Sequence, residues 1–369
     1  MHIFLHLLND FSGSPRIINE KIRCYQKLGL ACFVVTNSSS GFISLDAVEH
    51  KLIPYAKHSN KIAWAFNLFL WHLRAFFFIL GKAGKGDTVH CNTMLTAPHL
   101  FAARLKGARA VAHLMEIRVS PAVHKNLMLF FVKRYADKVI YLSRYVKQEL
   151  GGILRNSPDH ITYPCIDPDI LAAARHALSS ARPEIDRLTT RHSEFTVCLI
   201  CSLIWHKGFR EFVQLAWLCP EFRFELIING TAENFHQQIP QQELPSNLVV
   251  RFNVKQISVI LQNVDLLVSL TKREGWIETF GLTLIEAMAF SLPVIAPGVG
   301  APTEFIVNKG NGYLVDESDL PNIARIIRQL QGSASLYQQL AASALETSER
   351  FTPARFLDAI KSEAEFIAS

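Results

Sequence analysis

Charge is scarce in this chain. Asp, Glu, Lys and Arg make up 19% of its 369 residues, against 49% hydrophobic residues. A disordered polyelectrolyte has the opposite balance, so that class is excluded. Cysteine is present but unpatterned: Cys24, Cys32, Cys91, Cys165, Cys198, Cys201 and Cys219 are odd in number and scattered. That excludes the even framework of a small secreted disulfide fold. The close pair Cys198 and Cys201 falls in the apolar run Phe195–Ile204. Residues three apart on a strand face opposite sides, so this CxxC is poorly placed for a metal, and reduced thiols in a cytoplasmic protein are expected. Met1–Leu8 is apolar but lacks a basic n-region and runs straight into Asn9-Asp10, so no secretory signal is read there. No short-period repeat is visible, which excludes a solenoid. No GxGxxG follows the first apolar run, which removes the dehydrogenase fingerprint.

What is present is enough chain for two cores. Short apolar runs alternate with amphipathic helical patterns throughout, the signature of parallel α/β units. The first half offers candidate strands at His2–Leu8, Ala31–Thr36, Asp87–Cys91, Arg109–Leu114, Lys138–Leu142 and His160–Tyr163. The second offers Thr196–Leu203, Arg223–Ile228, Leu248–Phe252, Asp265–Leu270, Pro293–Ala296 and Gly312–Val315. Each set suits one Rossmann-like sheet, and the segment Pro164–Arg191 reads as the crossover between them. The expected division is 1–165, an inter-domain segment 166–191, a second domain 192–348, and a terminal helix 349–369 that would cross back to the first domain. Thr352 suits its N-cap and Pro353 its first position, with Phe356, Ile360 and Ile367 at helical spacing.

The two halves differ in charge. Residues 1–180 carry 22 Lys/Arg against 11 Asp/Glu, whereas residues 181–369 carry 16 against 21. A basic half suits an anionic partner such as a membrane surface or a lipid phosphate, and equally a solvated face complementary to the other half. The stretch Lys61–Lys82 is about long enough to cross a bilayer, but Asn67, His72 and Arg74 interrupt its centre. A buried helix is the leading expectation, with a helix resting on a membrane second and a true span last.

The densest chemistry lies at Glu278-Thr-Phe-Gly-Leu-Thr-Leu-Ile-Glu286, running on through Ala287-Met-Ala-Phe-Ser-Leu-Pro-Val-Ile295. A carboxylate in a loop is followed by a glycine, a helix with a second carboxylate, and a buried strand. Gly281 lets backbone approach a ligand, and the N–H groups of Leu282 and Thr283 at the helix start attract phosphate. Both glutamates can accept hydrogen bonds from sugar hydroxyls. That layout suits a nucleotide sugar. Two weaker signals sit after first strands: Asn9-Asp-Phe-Ser-Gly13-Ser-Pro-Arg16, and Cys201-Ser-Leu-Ile-Trp-His-Lys207-Gly208. Alone the first is more often an ordinary turn than a phosphate or sugar contact. Lys207 beside its glycine can pair with a diphosphate as a point charge.

These residues together resemble the retaining glycosyltransferases of family 4, also called group 1, with the GT-B fold. The resemblance rests on Glu278-x7-Glu286 with Phe280-Gly281 inside it, on Lys207-Gly208 and on Gly13. It extends to Ala136-Asp-Lys-Val-Ile-Tyr-Leu-Ser143, Ile161-Thr-Tyr-Pro-Cys-Ile-Asp167, Gly300-Ala-Pro-Thr-Glu-Phe-Ile306 and Asn311-Gly-Tyr-Leu-Val-Asp316. It implies two Rossmann-like domains whose parallel sheets face a central cleft. It also implies roles. Glu278 would hydrogen-bond the transferred sugar and Glu286 the ribose. Lys207, with the backbone of Phe280, Gly281, Leu282 and Thr283, would hold the diphosphate, and Gly13 would close over it. His113 would stand near the donor sugar; a lone histidine after a strand is as often structural. Glu278, Lys207 and His113 form the expected catalytic set.

Two departures stand out. Ser202 occupies the position where the family has an arginine five residues before the lysine, so another cation must compensate; Arg16, Lys272 and Arg273 are the candidates. Ser291 replaces the usual glycine at a helix end that often needs left-handed backbone. Asp167-Pro-Asp169 could pass for a metal-binding DxD, but the family pattern has a structural aspartate there, and no metal or other cofactor is expected. The expected partners are a nucleotide-sugar donor, a glycan or lipid-linked acceptor and an anionic membrane, with no nucleic acid. The setting is the cytoplasm or the inner membrane face, in bacterial polysaccharide synthesis such as O-antigen. A GT-B nucleotide-sugar epimerase and a weakened sugar-nucleotide-binding protein are the alternatives. The base of the nucleotide, the sugar and the linkage are not specified by these residues.

Overall fold

The computed structural model describes every residue except 56–59, 120, 152–157 and 181–194. Two compact units emerge: Met1–Cys165 together with Ala354–Ser369, and Ile166–Pro353.

In the first unit, strands β1 (His2–Leu5), β2 (Cys32–Thr36), β3 (Glu49–Leu52), β4 (Thr88–Asn92), β5 (Arg109–Leu114), β6 (Lys138–Tyr141) and β7 (Asp159–Ile161) form one parallel sheet in the order β3-β2-β1-β4-β5-β6-β7. Its inner strands are buried on both sides, as a sheet covered by helices on both faces requires; Ile3, Phe4 and Leu5 are wholly buried. The helices are α1 (Gly13–Lys27), α2 (Lys61–Lys82), α3 (His99–Leu105), α4 (Ala122–Tyr135) and α5 (Arg144–Gly151). Strand order runs one way from β1 to β3 and the other way from β4 to β7. With right-handed crossovers, α1 therefore covers one face and α2, α3 and α4 cover the other. The last three pack in succession, α2 on α3 and α3 on α4.

The second unit holds β8 (Thr196–Ser202), β9 (Arg223–Asn229), β10 (Leu248–Phe252), β11 (Leu266–Val268), β12 (Val294–Pro297) and β13 (Gly312–Val315), all parallel, in the order β10-β9-β8-β11-β12-β13. Its helices are α6 (Pro168–Ser180), α7 (Phe209–Leu218), α8 (Ala232–His236), α9 (Ile257–Leu261), α10 (Leu282–Ala289), α11 (Leu320–Gly332) and α12 (Ala334–Ser348). Phe212, Phe224, Leu226 and Ile327 anchor its core. The last helix, α13 (Pro353–Ala368), belongs to the first unit. There Ile367 packs with Val111 and Ile140, and the Phe366 ring stacks on His160 at 5.5 Å. The chain is thus α/β with two Rossmann-like parallel sheets, as its residue pattern indicates.

Three local departures have physical reasons. β3 reads Glu-His-Lys-Leu and is exposed along its length; an edge strand need not be apolar, so it gave no hydrophobic signal. β1 stops at Leu5 and β11 at Val268, short of the apolar runs that suggested them, because the chain turns away into the loops that follow. The segment expected as a plain crossover contains α6: the Asp167 carboxylate accepts the N–H groups of Asp169 (2.9 Å) and Ile170 (3.3 Å), and Pro168 opens the helix. Asp167 is therefore a helix cap. The remainder of that segment, 181–191, lies outside the described residues. Burial pushes the Cys201 thiol up to about 12, so this cysteine stays a neutral thiol at physiological pH.

Candidate functional site

In an open parallel sheet, ligands collect where the strand order reverses, beyond the carboxyl ends of the strands. In the second unit that point lies between β8 and β11. The loop after β8 carries a single 3-10 turn, Trp205–Lys207, closed by Gly208 at φ 78°. A Cβ on Gly208 would come within 2.1 Å of the Leu270 carbonyl oxygen, so the left-handed glycine lets this turn press against the end of β11. The loop after β11 leads to Glu278 and then to α10.

The two loops meet at one ion pair. Lys207 Nζ lies 2.8 Å from Glu278 Oε2, and the Thr271 hydroxyl donates to the same oxygen at 3.2 Å. Both contacts go to Oε2; among the described residues no hydrogen bond to Oε1 is found. Burial alone would push the Glu278 carboxyl up. The Lys207 charge, the hydrogen bonds from Lys207 and Thr271, and His206 nearby outweigh that and hold it below the usual carboxylate range. The site thus contains a fixed carboxylate with one oxygen tied and one oxygen to offer.

Glu278 is positioned through its own backbone. Its carbonyl accepts the Ala301 N–H at 2.9 Å. The preceding residue, Gly300, has φ 90°, and a Cβ there would stand 2.5 Å from the Glu278 oxygen. Phe280, expected among the donor contacts, is buried and packs against Phe305 (5.5 Å) and Phe351 (5.4 Å). Its side chain secures the loop from beneath.

Gly281 is the left-handed N-cap of α10, with φ 100°. The first bond within the helix runs from the Leu284 N–H to the Gly281 carbonyl at 3.1 Å, so the N–H groups of Leu282 and Thr283 precede it and point along the positive end of the helix. Glu286 lies in the next turn, only 1% exposed.

The compensating cations have prior engagements. Lys272 pairs with Glu211 at 2.6 Å, and the Arg273 guanidinium grips Glu317 at 3.0 Å and approaches Asp316 at 3.5 Å. Ser202 ends β8 with its carbonyl accepting the Ile204 N–H at 2.8 Å. Thr271 and His206 carried no recognisable pattern of their own. Gly300 stood at the head of the Gly300–Ile306 segment of the family resemblance, and its role emerges from the approach to Glu278.

The remaining expected residues belong to the first unit. Gly13 opens α1 at the switch point after β1, where the Ser12 N–H and hydroxyl both donate to Asp10 Oδ1 at 3.0 and 2.5 Å. Arg16 lies over the Phe42 ring at 5.9 Å. His113, at the end of β5, is placed differently from a ligand-facing histidine: it is 1% exposed and both ring nitrogens have partners. Nε2 meets His90 Nδ1 at 2.9 Å, and Nδ1 meets Lys21 Nζ at 3.2 Å. The row continues from His90 Nε2 to His2 Nδ1 at 2.9 Å, and from Lys21 to Glu363 of α13 at 2.7 Å. Tyr25 (3.2 Å) and Thr162 (2.5 Å) also donate to Glu363. Burial pushes the His113 and His90 rings well below their usual pKa, with neighbouring cationic partners adding to it. His113 is a member of a core network.

Comparison with known proteins agrees with this geometry. Residues 182–347 match the family described as "Glycosyl transferases group 1". An uncharacterized glycosyltransferase of Methanocaldococcus jannaschii is 24% identical over 263 residues, covering 68% of this chain and 67% of that protein. Sucrose-phosphate synthase 4 of Arabidopsis thaliana is 36% identical over 76 residues, 21% of this chain and 7% of that much longer protein. Among solved structures, Anabaena HepE in complex with UDP and glucose superposes with a TM-score of 0.76 at 17% identity, covering 99% of both chains. WaaG, a glycosyltransferase involved in lipopolysaccharide biosynthesis, gives 0.72 at 14% identity, covering 98% of this chain and 99% of WaaG. Residues 182–347 therefore match a group 1 glycosyltransferase model, and the two parallel Rossmann-like sheets have the GT-B fold.

Proposed function

We propose that this protein is a retaining glycosyltransferase that moves a sugar from a nucleoside diphosphate to a glycan or lipid-linked acceptor, without a metal ion. Its setting is the cytoplasmic stage of bacterial surface polysaccharide synthesis. The observation that carries the reading is the Lys207–Glu278 pair at the strand-order reversal, beside the start of α10. The UDP and glucose bound to HepE support the donor class, and the role of WaaG supports the setting.

Glycosyl transfer passes through an oxocarbenium-like state while negative charge grows on the departing diphosphate. Lysine has three donors, so Lys207 can keep Glu278 and still reach a phosphate oxygen. The N–H groups of Leu282 and Thr283 offer a second point of stabilisation. Glu278 then turns Oε1 to a hydroxyl of the transferred sugar, and Glu286 takes the ribose. Arg16, Lys272 and Arg273 are the cations to substitute one by one in testing what replaces the arginine missing at Ser202; Lys272 and Arg273 already neutralise carboxylates. Among the described residues no side chain in the site is positioned as an obligatory covalent nucleophile, and attack on the same face as departure, assisted by the leaving phosphate, accounts for retention.

A thermal-shift screen of UDP- and GDP-sugars identifies the donor. With that donor and its acceptor, Glu278→Ala is expected to lower transfer by about 10² while the fold persists. Unchanged turnover would remove Glu278 from the mechanism. Epimerised sugar formed from donor alone, with no acceptor present, would assign an epimerase instead.

A further inference from the structure

The helix layer of the first unit shows solvent an apolar face. On α2, Ile62 (81% exposed), Phe66, Phe69 (61%) and Phe77 (62%) point outward. Their spacing of three, four or eight residues places them on one stripe of the helix. The opposite stripe, Leu68, Trp71, Ala75 and Ile79, is buried in the unit's core. α4 repeats the arrangement, with Val123 (78%) and Phe130 outside and Met128, Leu129 and Val132 inside. A line of rings joins the helices through α3: Phe76 to Phe101 at 5.9 Å, Phe101 to Tyr135 at 4.9 Å, and Tyr135 to Phe130 at 6.5 Å. Monomeric proteins seldom expose so many large apolar side chains together without a partner.

The charge on the same helices selects the partner. α2, α3 and α4 contain no Asp or Glu, whereas Arg74, Lys82, Arg104, Lys125, Lys133 and Arg134 lie in them, Lys82 and Arg104 also pairing with Glu49 and Asp137. We propose that this three-helix face docks on an anionic phospholipid bilayer, with α2 and α4 lying along the membrane plane. Apolar side chains would enter the headgroup boundary while the cations meet lipid phosphates. By length and composition α2 could span a bilayer, but spanning would strip Trp71, Ala75 and Ile79 from the core they complete. A second copy is a poorer occupant, because two such faces would oppose cation to cation across a two-fold axis. The inference uses none of the residues assigned to transfer.

The test is sedimentation of the full chain with vesicles of phosphatidylcholine alone and of phosphatidylcholine mixed with phosphatidylglycerol. Binding is expected to the mixed vesicles, falling as salt is raised. Phe69→Asp with Phe77→Asp, both at exposed positions, should lower it by about tenfold or more, with an unchanged melting curve. Lys133→Ala with Arg134→Ala should reduce the preference for phosphatidylglycerol several-fold while the apolar stripe stays intact. Failure of the wild-type chain to bind mixed vesicles overturns the proposal, as does undiminished binding by the double aspartate variant. A dimer in light scattering that the aspartates dissolve would assign the face to a second copy and overturn it too. Nucleotide-sugar binding, measured without lipid, keeps the two readings separate: a chain that binds donor but no vesicle loses only the membrane face.

Discussion

In the first unit a row of polar groups, His2, His90, His113, Lys21 and Glu363, crosses the interior, while phenylalanines of the helix layer face solvent. The second unit is arranged the other way. Its interior is built on Phe212, Phe224, Leu226 and Ile327, and Lys207, Glu278, Lys272 and Arg273 stand in loops beyond the strands. The difference separates two uses of charge. A buried charge must be matched where it lies, and its partners become fixed parts of the fold. A partly exposed pair such as Lys207–Glu278 can exchange one partner for a ligand at smaller cost.

The comparison breaks most sharply at Glu363. Glu363→Ala leaves Lys21 buried without its counter-charge and removes the acceptor of Tyr25 and Thr162. The first unit is expected to lose about 3–5 kcal/mol, and calorimetry should show it melting well below the second. Replacing both partners, Lys21→Met with Glu363→Leu, should recover much of that loss, since an apolar pair leaves no stranded charge. A single variant that melts like the wild type would show that the row contributes nothing to folding.

The next test acts on the adjustable site. Gly300→Ala places a Cβ 2.5 Å from the Glu278 carbonyl at a left-handed φ. The loop must shift, and a displacement of that kind lowers turnover by roughly 10². Donor affinity, read by thermal shift, should fall with it. An alanine variant of full activity would mean that Glu278 tolerates misplacement, and the site would be looser than its contacts suggest.

Much of this was legible in the residues. The apolar runs located the strands of both sheets, except for exposed β3, because buried parallel strands must be apolar on both sides. The placements of Glu278, Gly281 and Lys207 were legible because a carboxylate, a glycine and a lysine beside a helix start or a strand end suit an anionic ligand. Phe280 and His113 were not. Whether a phenylalanine supports a loop or lines it, and whether a histidine faces a ligand or a second histidine, depends on contacts between distant segments. The pairing of Lys21 with Glu363, separated by 342 positions, has no local signal at all. Nor had Lys272 and Arg273, whose carboxylate partners lie far along the chain.

Acidification offers a subtler discrimination between the units. Burial pushes His6 and His99, both in the first unit, down to about 4. They are neutral when folded and take up protons near 6.5 when unfolded. Below about pH 6.5 the unfolded chain therefore binds more protons, and stability present above that pH is lost progressively down to about 4. The loss is about 1 kcal/mol per buried histidine for each pH unit in that window. In the second unit, Glu278 and Glu317 are also shifted down, but from a lower starting range. For both, burial opposes the charged form, but the Lys207 and Arg273 contacts outweigh it. Their contribution is present above the usual carboxylate pKa and lost only below it. Hydrogen exchange at pH 7.5 and 5.5 should show protection falling first in the sheet of β1 and β4, with β8 and β9 unchanged. Equal loss in both sheets would erase the contrast.

The smallest expected effect lies at the end of α10. Ser291 holds φ 58°, the left-handed geometry a glycine would adopt without strain, and its hydroxyl donates to the Ala341 carbonyl at 3.0 Å. Strain of about 1 kcal/mol and a hydrogen bond worth about 1 kcal/mol nearly offset each other. Ser291→Gly should therefore change stability by less than about 0.5 kcal/mol, because it removes both terms. Ser291→Ala keeps the strain and loses the bond, so it should fall about 1 kcal/mol below both in urea denaturation. If alanine matches serine, the hydroxyl is idle, and the helix behind Glu286 must be held by packing alone. That result would draw the second unit's site closer to the first unit's rule, in which position is set by what is buried beneath it.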